Sequence, residues 1–256
     1  MFGVVYSYAL KDFLRFSRLI AWLILGGLTF LLGAVWQRLM PGSTPSQSYG
    51  DVSTLMVFRI LPLASAIFST SVISQEVEQK TIVYLLTRTV PRPVLLLGRY
   101  AASVTVVALV SAFTAILLSV STFHSGALGN ALLWRDLGSI GLAALAYGSL
   151  FTFVSLLFNR AMLVCLLFAF GWETSVPNMP GAMGRVSLVT YVQALASHPP
   201  LGGDSKLLAF ATATLSNQDV SPAIGGAVLS CVFLLGLVAA VGWFRTHEFV
   251  ARDDAE

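Results

Sequence analysis

Charged side chains are scarce: Asp, Glu, Lys and Arg make up 11% of the 256 residues, where a soluble domain carries about 25%. With 56% hydrophobic residues and a mean hydropathy of +0.81, that scarcity excludes a soluble fold and marks an integral membrane protein. The apolar residues fall in runs of roughly 20, the length needed to cross about 30 Å of hydrocarbon. Cysteines are as rare, and Cys165 and Cys231 both sit inside apolar runs as small hydrophobes, so neither a disulfide framework nor a thiolate metal site is implied. The three histidines, His124, His198 and His247, fall in different loops or the tail and read as solvated, with no shared metal site. HExxH, GxSxG and GxxxxGK[ST] are all missing, so metalloprotease, hydrolase and nucleotide-binding chemistry find no support. A cleavable signal is not expected either, because Lys11, Asp12 and Arg15 follow the first apolar residues instead of preceding them.

Taken in order, residues 1–18 predict an amphipathic helix lying on the membrane surface. Ser7, Lys11, Arg15 and Arg18 form one stripe, and Phe2, Tyr6, Ala9, Phe13 and Phe16 the opposite face. Six spans follow: 19–36, 52–73, 100–123, 137–158, 161–177 and 222–244. Trp22 and Trp36 are expected as interfacial anchors of the first, with a polar loop at 37–51 after it. The second contains Arg59, Pro62, Ser65 and Ser69, which suit a face against protein or water. The fourth offers Gly138, Gly141, Ala144 and Gly148 for close packing, and Asn159-Arg160 makes a tight turn into the fifth. In 178–221, Arg185, Leu188, Val189, Val192, Leu195 and Ala196 keep helical spacing and Leu207–Leu215 is a second apolar stretch. Both are too short to span, so interfacial or re-entrant helices are expected there. The whole is a single all-α transmembrane domain with no visible repeat.

Six spans put both termini on one side. Ten of the fifteen Lys and Arg fall on that side, four on the other and Arg59 within a span, which places the termini and the 74–99 loop in the cytoplasm of a multi-pass cell-membrane protein. The net charge of +3 is spread along the chain, as orientation in a membrane requires, and not gathered as a nucleic-acid surface would need. Arg59 and Glu173 are the two ionisable residues inside spans, each costing roughly 2.5–3.5 kcal/mol at a helix centre. Two arrangements fit them: an ion pair near the outer mouth of a pathway, or independent snorkelling to the interface.

The segment with most character is Ser74–Tyr100. Glu76 and Glu78 lead into Thr81 and the apolar run Ile82–Leu86, then Arg88, the Pro91-Arg92-Pro93 turn, and Leu95-Leu96-Leu97-Gly98-Arg99. The prolines end one helix and reset direction, and the arginines favour an anionic surface or an acidic partner. In the order Glu78, Thr81, Leu85-Leu86, Arg92, Leu96-Leu97, Gly98, this segment resembles the loop between spans two and three of ABC-2 type permeases, the membrane subunits of type V fold ABC exporters. Lys80 stands where that family usually has Gly, Pro91 follows Thr89-Val90 instead of leading the turn, and Arg99 replaces Lys. Leu10–Arg15 with Arg18 also resembles the family's interfacial helix.

The resemblance implies a permease without ATPase activity, paired as two copies with two cytoplasmic ABC ATPase subunits. ATP and Mg would bind to the ATPase partner, and no cofactor to this chain. It implies a coupling surface of Glu76, Glu78, Lys80, Thr81, Arg88 and Arg92. Spans two and five would line the path, giving Arg59, Pro62, Ser65, Ser69 and Glu173 a role there, with Lys11, Arg15 and Arg18 on the interfacial helix. The competing reading is a stand-alone channel or ion-coupled secondary transporter, which needs ionisable residues near mid-membrane and paired broken helices.

Overall fold

Every regular element among the described residues is a helix. The computed structural model describes residues 2–40, 42–78, 91–158, 160–178, 181–198 and 220–246, without the side chains of residues 16–18, 73–78, 125, 178 and 181–182. Helix α1, Phe2–Phe13, buries Ala9 and Phe13 and leaves Lys11 exposed, so its apolar face is the expected one. Phe2 is the exception, at 47% exposure. Arg15 adopts an extended backbone (φ −56°, ψ 132°) and α2 starts directly after it, Phe16–Leu39. The first helix is therefore shorter than the periodicity suggests, and exposed Arg15 sits at the corner, 4.0 Å from Asp12.

In α2 the buried positions are Trp22, Gly26, Thr29 and Gly33. Spaced four, three and four apart, they form one narrow stripe against the next long helix but one. Ile20, Ile24, Leu28, Leu31 and Val35 on the other faces are exposed, as a lipid-facing helix requires. Trp22 is a core residue instead of an interfacial anchor: it is 7% exposed and its ring lies 5.7 Å from that of Phe68.

The expected loop at 37–51 is mostly helix. Thr44 and Gln47 form a reciprocal capping box, Gln47 N donating to Thr44 Oγ1 at 3.3 Å and Thr44 N to Gln47 Oε1 at 3.1 Å, with Pro45 in the first turn. Helix α3, Pro45–Val52, then runs through a π-turn, Ser53–Val57, into α4, Phe58–Glu78. The widened turn ends immediately before Phe58, the residue whose carbonyl Pro62 cannot serve and would crowd in a regular helix.

Helix α5, Arg92–Phe123, starts after Pro91, so its first turns occupy what read as loop. After a 3-10 turn, His124–Gly129, Asn130 accepts from Leu132 N at 2.9 Å and opens α6, Ala131–Leu157. This cap draws Asp136 into a helix instead of a polar turn. Next come α7, Ala161–Ser175, a short α8, Leu188–Ala196, and α9, Pro222–Thr246.

Five helical stretches have the length and apolarity to cross a membrane: Leu19–Leu39, Pro45–Val72, Arg92–Phe123, Ala131–Leu157 and Pro222–Thr246. The expected fifth span is α7, whose 15 residues cover only about 22 Å. The core is built round α6, which packs on α4, α5, α7, α8 and α9. At Gly148 three helices converge: an added Cβ would lie 2.8 Å from Val104 of α5 and 3.6 Å from the Ser69 hydroxyl of α4. Of the other small residues in this helix, Ala144 is fully buried, while a Cβ at Gly138 or Gly141 would meet nothing within 4 Å. Cys165 is buried and Cys231 exposed, both free.

At the end of the bundle where α5 begins, α1 lies along α5. Tyr6 donates to Thr105 at 3.2 Å, and Phe13 meets Phe68 edge-on at 6.0 Å. A Cβ on Gly98 would stand 2.9 Å from Val5 Cγ1 and 3.2 Å from Val5 Cβ. Replacing Gly98 by Val should therefore lift α1 from α5, at a cost of about 1–3 kcal/mol. A cysteine placed at buried Ala9 should react faster with a maleimide in the Gly98→Val chain than in its Gly98 parent. Equal rates would show that α1 is held elsewhere.

Candidate functional site

Of three buried carboxylates among the described residues, Asp51, Asp136 and Glu173, the last two gather donors from several segments of the bundle away from α1. Asp136, in the second turn of α6, is fully buried. Its Oδ2 accepts from Tyr49 Oη and Ser53 Oγ, both at 2.8 Å. The capping box and π-turn bring these two donors together, since Tyr49 lies in α3 and Ser53 opens the π-turn. Oδ1 lies 2.9 Å from His198 Nε2, just past the end of α8, although the ring N–H does not point along that line. The imidazole sits between two rings, its centroid 6.0 Å from that of Tyr49 and 5.6 Å from that of Phe58. Asp51 faces the same imidazole and the Trp36 indole.

Glu173 is the second carboxylate, 4% exposed. It follows directly on the π-turn Phe168–Trp172 of α7. Its oxygens accept from Ser187 Oγ, from Leu188 N at 3.2 Å and from Val189 N at 3.1 Å, and Tyr147 Oη faces it from α6. Ser187 is the N-cap residue of α8, so Glu173 supplies from another helix the acceptors that the first amides of α8 lack within their own. A negative group at a helix N-terminus also meets the positive end of the helix dipole.

The two carboxylates mark the ends of α8. Tyr147 and Asp136 are eleven residues apart on α6, about 16 Å along its axis, and α8 spans the interval with its first residues at Glu173 and its last beside Asp136. The short α7 therefore ends beside the middle of α6, and α8 runs on from that level toward the far end. Leu188, Val189, Val192 and Ala196 are buried and pack on α6 and α9. The spacing read from the sequence thus identifies the buried face of this helix, while Arg185 lies before it in a 3-10 turn and is exposed.

The other sequence-derived site residues fall in three groups. Arg59 is exposed on α4, in line with half-buried Leu63 and Ile67. It makes no ion pair among the described residues, and Glu173 is occupied elsewhere. Pro62, Ser65 and Ser69 are buried within the chain's own bundle, and both serine hydroxyls find no hydrogen-bond acceptor among the described residues. Of the coupling surface, Arg92 is half-buried in the first turn of α5, and Glu76 and Glu78 fall in the last turns of α4 with their side chains outside the described residues. Lys80, Thr81 and Arg88 lie outside the described residues altogether, as do the Arg18 side chain and Leu207–Leu215.

Sequence reasoning missed Asp136, Tyr49 and His198, assigned to loops, and Ser53, placed at the start of the second span with no role. A usable signal was present in Thr44-Pro45-Ser46-Gln47, a capping-box pattern that starts a helix and carries Tyr49 and Asp51 inward. His198 had no such signal, because its burial depends on α8 folding back on α6.

Residues 36–169, just over half of the chain, match the family described as ABC-2 family transporter protein. No curated protein matches it. The matched segment runs from the end of α2 into α7, so it contains Tyr49, Ser53 and Asp136 but neither Glu173 nor His198.

Removing the Glu173 carboxylate strands two buried amides and a hydroxyl, each costing roughly 1–3 kcal/mol. Glu173→Ala should lower the thermal midpoint of the detergent-solubilised protein markedly. Glu173→Gln, which keeps one acceptor oxygen, should lower it less. An alanine variant as stable as the parent would show that these bonds do not hold α8.

Proposed function

Because the chain belongs to the ABC-2 transporter family and is a multi-pass membrane permease component, we propose that it forms the translocation pathway of an ATP-driven exporter. Its energy comes from separate cytoplasmic ATPase subunits. The observation that carries the reading is the family match over 36–169 on a bundle with five membrane-length apolar helices. Two copies of the chain pair with two ATPases. Both termini and the segment between α4 and α5 face the cytoplasm, where Glu76, Glu78, Lys80, Thr81, Arg88 and Arg92 meet the ATPase. ATP and Mg belong to that partner.

The line of exposed Arg59 with half-buried Leu63 and Ile67 on α4 supports placing the path along this face, because α7 beside it also leaves Leu163, Leu167 and Phe170 exposed. A surface that mixes one cation with apolar side chains suits an amphipathic cargo. Glu173 acts there as a brace for α8 and not as a lining group, and Pro62, Ser65 and Ser69 shape α4 from behind. The π-turns just before Arg59 and Glu173 are points where a helix changes register at small cost. ATP-driven closure of the ATPases would tilt α4 and α5 through their shared inner segment.

One observation favours the alternative of an ion-coupled transporter: Glu173 is an ionisable group beside the middle of α6. Its saturation by donors from α8 weighs against ion exchange at that position. Co-purification from native membranes separates the two readings. A soluble ATPase should travel with the parent chain, and the Glu76→Ala, Glu78→Ala double variant should lose it or lose stimulation of its hydrolysis. Transport by the purified chain alone, with no ATPase bound, would overturn the exporter reading.

A further inference from the structure

The hold on α8 is unequal at its two ends, and this difference is independent of what the protein transports. At the N-terminal end Glu173 receives one hydroxyl and two backbone amides. At the C-terminal end the chain leaves the helix through Ser197, in left-handed conformation (φ 50°, ψ 48°); beside the packing of Tyr191, Ala194 and Leu195 on Gly225 of α9, its polar hold among the described residues is His198. That contact is a single 2.9 Å approach to Asp136 without an aligned N–H. The second imidazole nitrogen, Nδ1, is buried and has no hydrogen-bond partner among the described residues. Asp136, in contrast, keeps two 2.8 Å bonds from Tyr49 and Ser53. Both bonds are to Oδ2 and fix the carboxylate without His198, whereas Oδ1 has only the imidazole beside it among the described residues, so departure of His198 leaves that oxygen bare, which favours the closed contact.

We propose that His198 on Asp136 is a latch. Closed, it seats the C-terminal end of α8 on α3 and α6; open, it lets residues 188–198 lift while Glu173 retains the N-terminal end as pivot. Three features fit this use. The receiving site is preformed by groups other than the latch. The bolt is one ring held mainly by contact with Tyr49 and Phe58. The carboxylate at the pivot binds backbone amides, which cannot swing away from the helix they belong to. Such a bistable element needs one end strongly and one end weakly held.

The test is the reactivity of a buried cysteine in the full chain, in native membranes. Val192 is 1% exposed on α8, and Val192→Cys in a Cys165→Ala, Cys231→Ala background reports lifting through its rate with N-ethylmaleimide. His198→Phe retains the ring between Tyr49 and Phe58 and removes the contact to Asp136. It should speed labelling severalfold, because the polar contact at this end is lost while the ring packing remains. A converse variant locks the latch. A Cβ on Gly50 would lie 3.6 Å from His198 Cβ, within the span a disulfide bridges, so Gly50→Cys with His198→Cys should form one on oxidation. Labelling of the Val192→Cys thiol should then stop, and resume at the fast rate on reduction. Unchanged labelling in His198→Phe, or labelling indifferent to the disulfide, overturns the latch. Failure of both variants to accumulate in the membrane also overturns it, by making the contact a requirement for folding.

Discussion

A carboxylate buried in an apolar bundle must be surrounded by donors, and the arrangement of this protein's far end follows from meeting that requirement twice. Asp136 and Glu173 each gather groups from separate segments of the chain. Asp136 joins the α3 and π-turn segment, α6 and the end of α8. Glu173 joins α7, α6 and the start of α8. An unsatisfied charge there would cost several kcal/mol, so α3 and the π-turn stay joined to α6 at Asp136, and α7 and the start of α8 stay joined to α6 at Glu173. Helix α8 is too short to be stable alone and owes its position to the two anchors and to the apolar face it buries on α6 and α9.

The opposite end is built on different physics. There α1 and the beginnings of α2 and α5 meet the later turns of α4 through aromatic and aliphatic contacts: Phe13 and Trp22 on Phe68, and Val5 over Gly98. Polar links at this end include Tyr6 on Thr105 and the Arg99 guanidinium donating to the Val72 carbonyl at 2.8 Å. The latter ties α4 to α5 on the near side of the segment between them, so that motion applied to that segment reaches both helices.

Irregular backbone marks the places where the two helices nearest the proposed path depart from straight geometry. The π-turns lie just before the ionisable residues that the hydropathy of the chain singles out, one residue short of Arg59 and directly before Glu173. The same local widening has different consequences in the two helices. It leaves Arg59 on the surface of α4, in line with Leu63 and Ile67, and it carries Glu173 inward to the N-terminus of α8. Two residues equivalent in the sequence as isolated charges in apolar runs are thus separated into a surface group and a structural anchor.

The sequence by itself determined the membrane class, the all-helical fold, the amphipathic helix at the N-terminus, the apolar lengths of five spans and the buried face of α8. All of these are local properties, written in hydropathy, in 3.6-residue periodicity and in the Pro and Gly punctuation of one segment at a time. It could not place Asp136 or His198, because a polar residue near an apolar run reads as loop until a distant donor or acceptor is known to meet it. Tyr49 and Asp136 are 87 residues apart, and no periodicity spans that distance. Nor did the apolar run from Ala161 onward show that α7 is a short helix of Ala161–Ser175. Only the tertiary structure decided which charges are anchors and which are surface, because that depends on which helices pack side by side.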